Sequence, residues 1–263
     1  MEVSSEINAI LIAKANKYLW HDAIVFSQRS CRTIQDGEES NAMNELLDRY
    51  GALLGEVDAW FRRCLELYPD LIACRNGCSE CCRGLFDITL LDAIYLRRGF
   101  DKLPETLKTE IDKAASQRLE LLSQVNPAFA APWLLNGIPE GDWDALMPEE
   151  DETPCLLLSE TGGCLVYEYR PMTCRLNGIP LIDVSGEELF DEWCTLNFTE
   201  EDPRHLADLR FGFTGLFARE LLLFQELVRR LTGSARNEVD LFIPAAIVMD
   251  HEKIVLALAA LDP

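Results

Sequence analysis

Histidine is scarce in this chain, and positive charge is outnumbered. The 263 residues include three histidines and 24 Lys and Arg against 45 Asp and Glu, which gives a formal net charge of −21. Binding to nucleic acid or to an anionic membrane needs clustered positive charge that displaces counterions. We therefore expect no nucleic-acid partner and no membrane partner, and the acidic excess serves solubility.

Long apolar segments are also missing. Residues 1–6 carry acids where a secretory signal needs Lys or Arg. The longest apolar runs, such as residues 254–261, are far shorter than the ~20 residues that span a bilayer. We expect a cytoplasmic protein, where disulfides are rare and clustered cysteines are more often metal ligands or catalysts.

Familiar catalytic patterns are absent as well. There is no Gly-rich phosphate loop, no nucleophile elbow and no internal repeat. Carboxylates are so abundant that no pair stands out for acid–base catalysis. The sequence therefore does not favour nucleotide-binding or triad chemistry.

Hydrophobic residues make up 48% of the chain, enough for a sizeable core. Apolar residues at helical spacing predict most of the secondary structure, with Pro and Gly at the predicted ends. Residues 126–154, interrupted by five prolines, predict an irregular connection. The predicted helices span residues 6–25, 44–68, 89–98, 104–123, 209–231 and 244–261, and the predicted hairpins pair 155–158 with 164–167 and 181–184 with 188–190.

These elements predict a mainly α fold with a small β-hairpin element (α+β). We expect a single compact domain organised around a cysteine metal cluster, over residues 43–263. Residues 1–42 are expected to form an N-terminal helical extension. Within the domain, the core motif spans about residues 70–195 and is followed by C-terminal helices in 205–263.

Eight of the ten cysteines fall into two groups, and the first places four cysteines within nine residues. Thiolates at such short gaps on a loop can converge on one metal without backbone strain, and a distant group can complete its coordination. We therefore predict metal binding by all eight. The first group is Cys74, Cys78, Cys81 and Cys82, and the second is Cys155, Cys164, Cys174 and Cys194.

Cys81 and Cys82 are adjacent, and neighbouring side chains tend to diverge. We expect that they face different metals, or that one of them bridges or stays outside the coordination sphere. Eight thiols then fit either two tetrahedral sites or one polynuclear cluster with spare ligands. The two remaining cysteines lie outside the cluster: Cys64 is predicted to be a small core residue and Cys31 a free thiol.

The donor set restricts the metal to zinc or an iron–sulfur cluster. His21, His205 and His251 all lie outside the motif, which disfavours a mixed Cys/His zinc finger. The number of thiols favours iron–sulfur. The spacing of the first three cysteines is similar to the cluster motif of radical S-adenosylmethionine enzymes, so S-adenosylmethionine is a conceivable cofactor that no other feature supports.

Arg170 and Arg175 flank Cys174 and are the candidate cofactor-binding residues. Cations beside a thiolate cluster offset its negative charge. Alternatively, one of them binds the carboxylate of an anionic substrate or cofactor, or both form ordinary salt bridges. Trp193 precedes Cys194 and either shields the metal or packs in the core.

These cysteines, together with the Arg170-Pro171-Met172-Thr173-Cys174-Arg175 string, resemble the CxxCxxCC cysteine-cluster family (YkgJ-like), described as zinc- or iron-chelating. The resemblance covers roughly residues 70–195 and implies metal chelation. The family pattern has two residues between its first two cysteines, whereas this chain has three. A flagellin lysine methylase is similar in its cysteine motif.

Three functions are consistent with these features. The first is a metal-chelating protein with a structural, storage or regulatory site. The second is an iron–sulfur-dependent enzyme that modifies a protein or small molecule. The third is an electron carrier. A pocket beside an open metal position would favour the enzyme, whereas a closed four-thiolate site would favour the structural module. The sequence identifies no protein partner.

Overall fold

The computed structural model describes residues 36–143, 145–148 and 150–260. The predicted helix 6–25, together with His21 and Cys31, lies outside the described residues. The helices are α1 (Asp36–Leu67), α2 (Leu90–Phe100), α3 (Glu105–Val125), α4 (Met172–Leu176), α5 (Phe213–Thr232), α6 (Ile243–Val248) and α7 (His251–Ala260). Five short 3₁₀ turns, at Leu135–Gly137, Glu140–Asp142, Tyr167–Tyr169, Pro203–His205 and Ala207–Leu209, lie between them.

Helix α1 is the longest element and carries the core on one face. Leu46, Tyr50, Leu54 and Val57 are fully buried and recur at helical spacing. Cys64 continues this buried face, as predicted. The helix starts earlier than the predicted residue 44, and it stops where Pro69 follows, because proline cannot continue the hydrogen-bond ladder.

The strands are short and form two antiparallel pairs. β1 (Asp87–Thr89) pairs with β4 (Asp240–Phe242), with Ile88 opposite Leu241. β2 (Leu181–Ile182) pairs with β3 (Glu188–Phe190), which confirms the predicted second hairpin. The prediction of a mainly α, single compact domain with a small β component is confirmed.

The first predicted hairpin forms as a tight antiparallel turn without regular strands. Residues 155–158 and 164–167 form a turn with a single bridge between Leu158 and Cys164, not two strands. The N–H of Leu165 donates to the Leu157 carbonyl and the N–H of Ser159 to the Gly163 carbonyl, both at 2.8 Å, so the two arms are bonded across the turn. The backbone N–H of Cys155 donates to the Cys82 carbonyl at 2.9 Å and bonds the turn to the first cysteine loop as well.

The predicted helix 244–261 is two helices. Met249 adopts a non-helical conformation (φ −55°, ψ 126°) and ends α6. Asp250 then caps α7, because its Oδ1 accepts hydrogen bonds from the N–H groups of Glu252 and Lys253. Helix α5 begins at Phe213, a few residues after the predicted start, and ends at Gly233 with φ +77°, as predicted.

No helix in the described part of the chain is long and apolar enough to cross a membrane.

Candidate metal centre

The first cysteine group lies on a loop that leaves α1 and passes through two tight turns. The N–H of Cys78 donates to the Arg75 carbonyl at 3.0 Å, and the N–H of Cys82 donates to the Ser79 carbonyl at 2.9 Å. Gly77 has φ +84°, a conformation that glycine adopts without steric cost. Hydrogen-bonded turns therefore hold the backbone of this group.

The turn that carries Cys155 and Cys164 packs directly on this loop. Besides the bond between Cys155 and Cys82, the N–H of Gly84 donates to the Thr153 carbonyl at 2.9 Å. Gly162 approaches so closely that an added Cβ would lie 2.6 Å from the carbonyl oxygen of Gly77. Main-chain contacts thus join the two cysteine segments.

Cys174 lies on α4, the five-residue helix that follows Pro171. The N–H of Met172, at the start of α4, donates to Oδ1 of Asp92 in α2 at 2.8 Å, which fixes the helix against the core. Cys194 lies on the loop after β3, where its N–H donates to the Gly178 carbonyl at 3.4 Å. Three separate segments therefore bring the second group to the first.

Six of the eight cysteines line one cavity of about 100 Å³. A neighbouring cavity of about 350 Å³ has Cys81 and Cys194 in its wall, together with Trp193 and three glutamates. Cys81 and Asn177 belong to both walls. The cysteines of the smaller cavity are Cys78, Cys81, Cys82, Cys155, Cys164 and Cys174.

All nine cysteines of the described residues are free thiols. Among the same residues, no three Cys, His, Asp or Glu side chains are arranged so that they could hold one metal ion. Coordination therefore requires the thiols to turn about their χ1 bonds. The cavity gives six of them space to do so.

Burial makes these thiols weak acids. It raises the pKa of Cys155 to about 11 and that of Cys174 well above the usual value of 9.0. The pKa of Cys81 is raised first by its hydrogen bond with Cys82 and then by burial. Since a metal binds the thiolate, metal uptake by these groups must release protons.

The two arginines have different surroundings. Arg170 lines the small cavity, and its guanidinium carbon stands 3.7 Å from the ring centroid of Tyr167. Arg175 is 4% exposed and donates to Asp58 and to the carbonyls of Glu168 and Arg170. Arg170 also pairs with Asp58 of α1, at 3.4 Å. Arg170 therefore lines the thiol cavity, whereas Arg175 lies outside the cavity wall and joins α4 to α1.

Asn197 is the residue of the site that sequence reasoning missed. It is 1% exposed, and its Nδ2 lies 3.4 Å from the sulfur of Cys74. An asparagine that follows a cysteine by three residues has no distinctive pattern, so no sequence signal pointed to it. Of the three histidines, His205 has a described side chain, and it is exposed at the surface.

Comparison with known families agrees with this geometry. Residues 73–195 match the model of the CxxCxxCC family, described as a putative zinc- or iron-chelating domain. The matched segment contains all eight clustered cysteines and both arginines, and the predicted resemblance is confirmed over that segment. No curated protein and no solved structure matches the chain.

Proposed function

We propose that the protein is an iron–sulfur protein whose cluster is held by the clustered cysteines. The observation that carries the proposal is the cavity of about 100 Å³ with six cysteines in its wall. A closed zinc site leaves no such space, because four ligands surround one ion at about 2.3 Å. An iron–sulfur cluster needs thiolates and also room for its inorganic iron and sulfide.

The donor chemistry supports the same choice. No histidine lines the cavity, and its wall contains no carboxylate. Thiolate-only surroundings suit iron–sulfur clusters as well as they suit zinc, whereas hard cations prefer oxygen ligands. Arg170 brings a positive charge to the cavity, and that charge offsets part of the negative charge of a thiolate-bound cluster.

The test is anaerobic purification followed by an absorption spectrum and by analysis for iron, zinc and acid-labile sulfide. We expect iron and sulfide in matching amounts and a broad charge-transfer band in the visible range. Zinc without sulfide, after anaerobic handling and reconstitution with iron and sulfide, would contradict the iron–sulfur assignment and leave a zinc-binding domain.

The larger cavity favours an iron–sulfur enzyme over an electron carrier. It measures about 350 Å³ and shares Cys81 and Asn177 with the thiol-lined cavity, so a bound small molecule would lie against the cluster ligands. An electron carrier does not require a pocket of this kind.

S-adenosylmethionine is the first ligand to test in that pocket, because of the spacing of Cys74, Cys78 and Cys81. Titration of the reduced holoprotein should change its electron paramagnetic resonance signal if the cluster has an open position. An unchanged signal together with no measurable binding heat would remove S-adenosylmethionine from the proposal and favour the electron carrier.

A further inference from the structure

The eight cysteines do not all surround the same space. Cys74 and Cys194 are outside the wall of the small cavity, and they approach each other around Gly178. A Cβ placed on Gly178 would lie 3.3 Å from the sulfur of Cys74. The N–H of Cys194 donates to the carbonyl of the same glycine at 3.4 Å. These two cysteines therefore share a neighbourhood of their own.

Asn197 organises that neighbourhood. Its Nδ2 donates to the Gly178 carbonyl at 2.6 Å and lies 3.4 Å from the Cys74 sulfur. Its Oδ1 accepts from the N–H of Ala73 at 2.8 Å, and its own N–H donates to the Cys194 carbonyl at 2.8 Å. One buried side chain thus binds the segments of both cysteines, and N–H donors to sulfur are how proteins orient and tune metal-bound thiolates.

The thiols that complete each neighbourhood follow from the contacts. Cys74 and Cys194 interact electrostatically with Cys78 and Cys81. Cys155 interacts with Cys81 and with its neighbours in the turn and in α4. Cys81 lies between the two sets, since it belongs to the walls of both cavities.

Cys81 and Cys82 lie at the boundary between the two neighbourhoods, and their thiols are hydrogen-bonded to each other. The carbonyl of Cys82 accepts from the N–H of Cys155, so Cys82 lies on the side of the second segment. Cys81 interacts with Cys74 and Cys194 and lines the larger cavity beside Gly178, whereas Cys82 lines the small cavity and not the larger one, so Cys81 is assigned to the side of Gly178. Four thiols therefore lie on each side. This division differs from the two groups along the sequence, because each side takes cysteines from both groups.

We propose that each chain holds two metal centres, one at the small cavity and one beside Gly178 and Asn197. This inference rests on the proposed function, because it assumes that these thiols bind metal. The centre at the cavity uses Cys82, Cys155, Cys164 and Cys174. The centre beside Gly178 uses Cys74, Cys78, Cys81 and Cys194.

The test compares two single variants of the full-length holoprotein, Cys164→Ser and Cys194→Ser. Each variant is expected to lose one centre and to keep the spectrum and the metal content of the other, and the double variant is expected to lose both. Cys64→Ala is the matched control, because Cys64 is fully buried in α1 away from both cavities. It should keep all the metal. Two results would overturn the proposal of two centres. One is an unchanged metal content in Cys194→Ser, and the other is loss of all metal in both single variants while they remain folded.

A milder variant protects the test against misfolding. Asn197→Asp keeps the size of the side chain and the acceptor for Ala73, but it replaces the donor to Cys74 with a negative charge. The centre beside Gly178 should bind metal at least ten-fold more weakly, while the centre at the cavity is unchanged. Equal effects on all the bound metal would indicate a single centre.

Native mass spectrometry of the unmodified holoprotein separates this inference from the proposed function. Two zinc ions per chain would contradict the iron–sulfur assignment and support two centres. A single cluster with no further metal, before and after reconstitution, would support the iron–sulfur assignment and overturn the second centre. An iron–sulfur cluster accompanied by a second, separately removable metal would support both.

Discussion

Because Gly162 has no side chain, the two loops that carry the cysteines can make contact at this residue. Its φ is +82°, and a Cβ at this position would lie 2.6 Å from the Gly77 carbonyl oxygen, which belongs to rigid backbone. We expect Gly162→Ala to lower the free energy of unfolding by roughly 1–3 kcal/mol, because both the left-handed backbone and the close contact are lost. Metal content should fall as well, and urea unfolding with metal analysis measures both.

Gly163→Ala is the matched control for that substitution. The nearest atom to a Cβ on Gly163 is the Ser159 hydroxyl oxygen at 3.7 Å, which is an ordinary contact. This variant should keep its metal and nearly all of its stability. If both alanine variants lost the same stability and metal, the close contact between the two loops would not be the cause of the loss.

A buried carboxyl group gives the fold a pH dependence. Burial and the charge of Asp92 raise the pKa of Glu220 to about 8, from its usual 4.5. The Tyr50 hydroxyl lies 2.6 Å from Asp92 Oδ1 and 3.1 Å from Glu220 Oε1, and its single hydrogen serves one carboxylate at a time. Burial and the charge of Asp92 therefore favour the protonated form of Glu220, against the opposing effect of the hydrogen bond that Tyr50 donates to it.

The sign of this effect follows from the raised pKa. Between pH 4.5 and about 8 the folded state keeps a proton on Glu220 that the unfolded chain releases, so stability is full below that window and falls as the pH rises through it. Glu220→Gln mimics the protonated form. We expect it to match the wild type below about pH 4 and to exceed it by roughly 2 kcal/mol or more at pH 8.

Denaturant unfolding across this pH range measures the difference. Glu226→Gln on the same helix is the control. Despite partial desolvation, Arg49 and Arg230 hold the pKa of Glu226 below 4.5, so it does not titrate in the window. A Glu220→Gln variant with the wild-type pH slope would show that another group carries the dependence.

At the scale of the elements, one ion pair joins the helix that carries Cys174 to the longest helix. Arg175 of α4, with 3% of its side chain exposed, pairs with Asp58 of α1. Removal of one partner leaves a buried charge without compensation. Asp58→Asn should therefore cost roughly 2–4 kcal/mol and loosen metal binding. Thermal unfolding and metal retention against a chelator measure these two effects.

Helix α1 also carries an exposed ion pair that serves as the control for Asp58→Asn. Asp48 pairs with Arg98 at 2.8 Å, but 68% of the Asp48 side chain is exposed. Asp48→Asn should change stability by less than about 1 kcal/mol, since exposed ion pairs contribute little. Equal losses of stability in Asp58→Asn and Asp48→Asn would mean that the buried pair between α1 and α4 contributes no more than the exposed pair.

Sequence reasoning located the elements whose signals are local. The apolar stripe and Pro69 predicted the end of α1, and Gly233 predicted the end of α5. The pairing of β1 with β4 was not predicted, because three-residue strands far apart in the chain carry no local periodicity. The turn at 155–164 was predicted as a hairpin because alternation and glycines indicate one, and its two arms are bonded to each other, but its bond to the Cys82 carbonyl has no local signal.

The candidate site likewise has features that the sequence predicts and features that it does not. Spacing identified all the cysteines that the structure gathers, since thiols at gaps of two or three residues are a local pattern. How they are distributed around two cavities depends on α4, Gly178 and Asn197, which only the folded chain brings together. The different places of Arg170 and Arg175 likewise depend on the fold, since both pair with Asp58 while Arg170 also lines the thiol cavity.

At the scale of the whole molecule, most of the apolar core lies outside the cysteine loops, although Leu157 and Val166 of the second loop belong to it. It is built from α1, α2, α3, α5 and α6, whose inward faces bury large side chains such as Tyr50, Trp60 and Phe213. We expect the metal-free protein to keep most of its far-ultraviolet helical signal while its melting temperature falls by several degrees, because metal binding stabilises only the folded state.

Circular dichroism of the chelated and the reconstituted protein tests this expectation. A small zinc-finger domain unfolds when its metal is removed, because it has no other core. Complete loss of helix here would place this protein in that class and would show that the core cannot stand without the cysteine loops.

The hydrogen bond between Cys155 and the Cys82 carbonyl also bears on when the centre forms during biosynthesis. A growing chain that has passed Cys82 still lacks the segment that packs on it, and the residues beside Gly178 and Asn197 are made later still. Neither proposed centre has its full set of ligands until the whole matched segment has been synthesised and folded. Metal delivery is therefore expected to act on the finished protein, and the thiols of the nascent chain must be kept reduced until then.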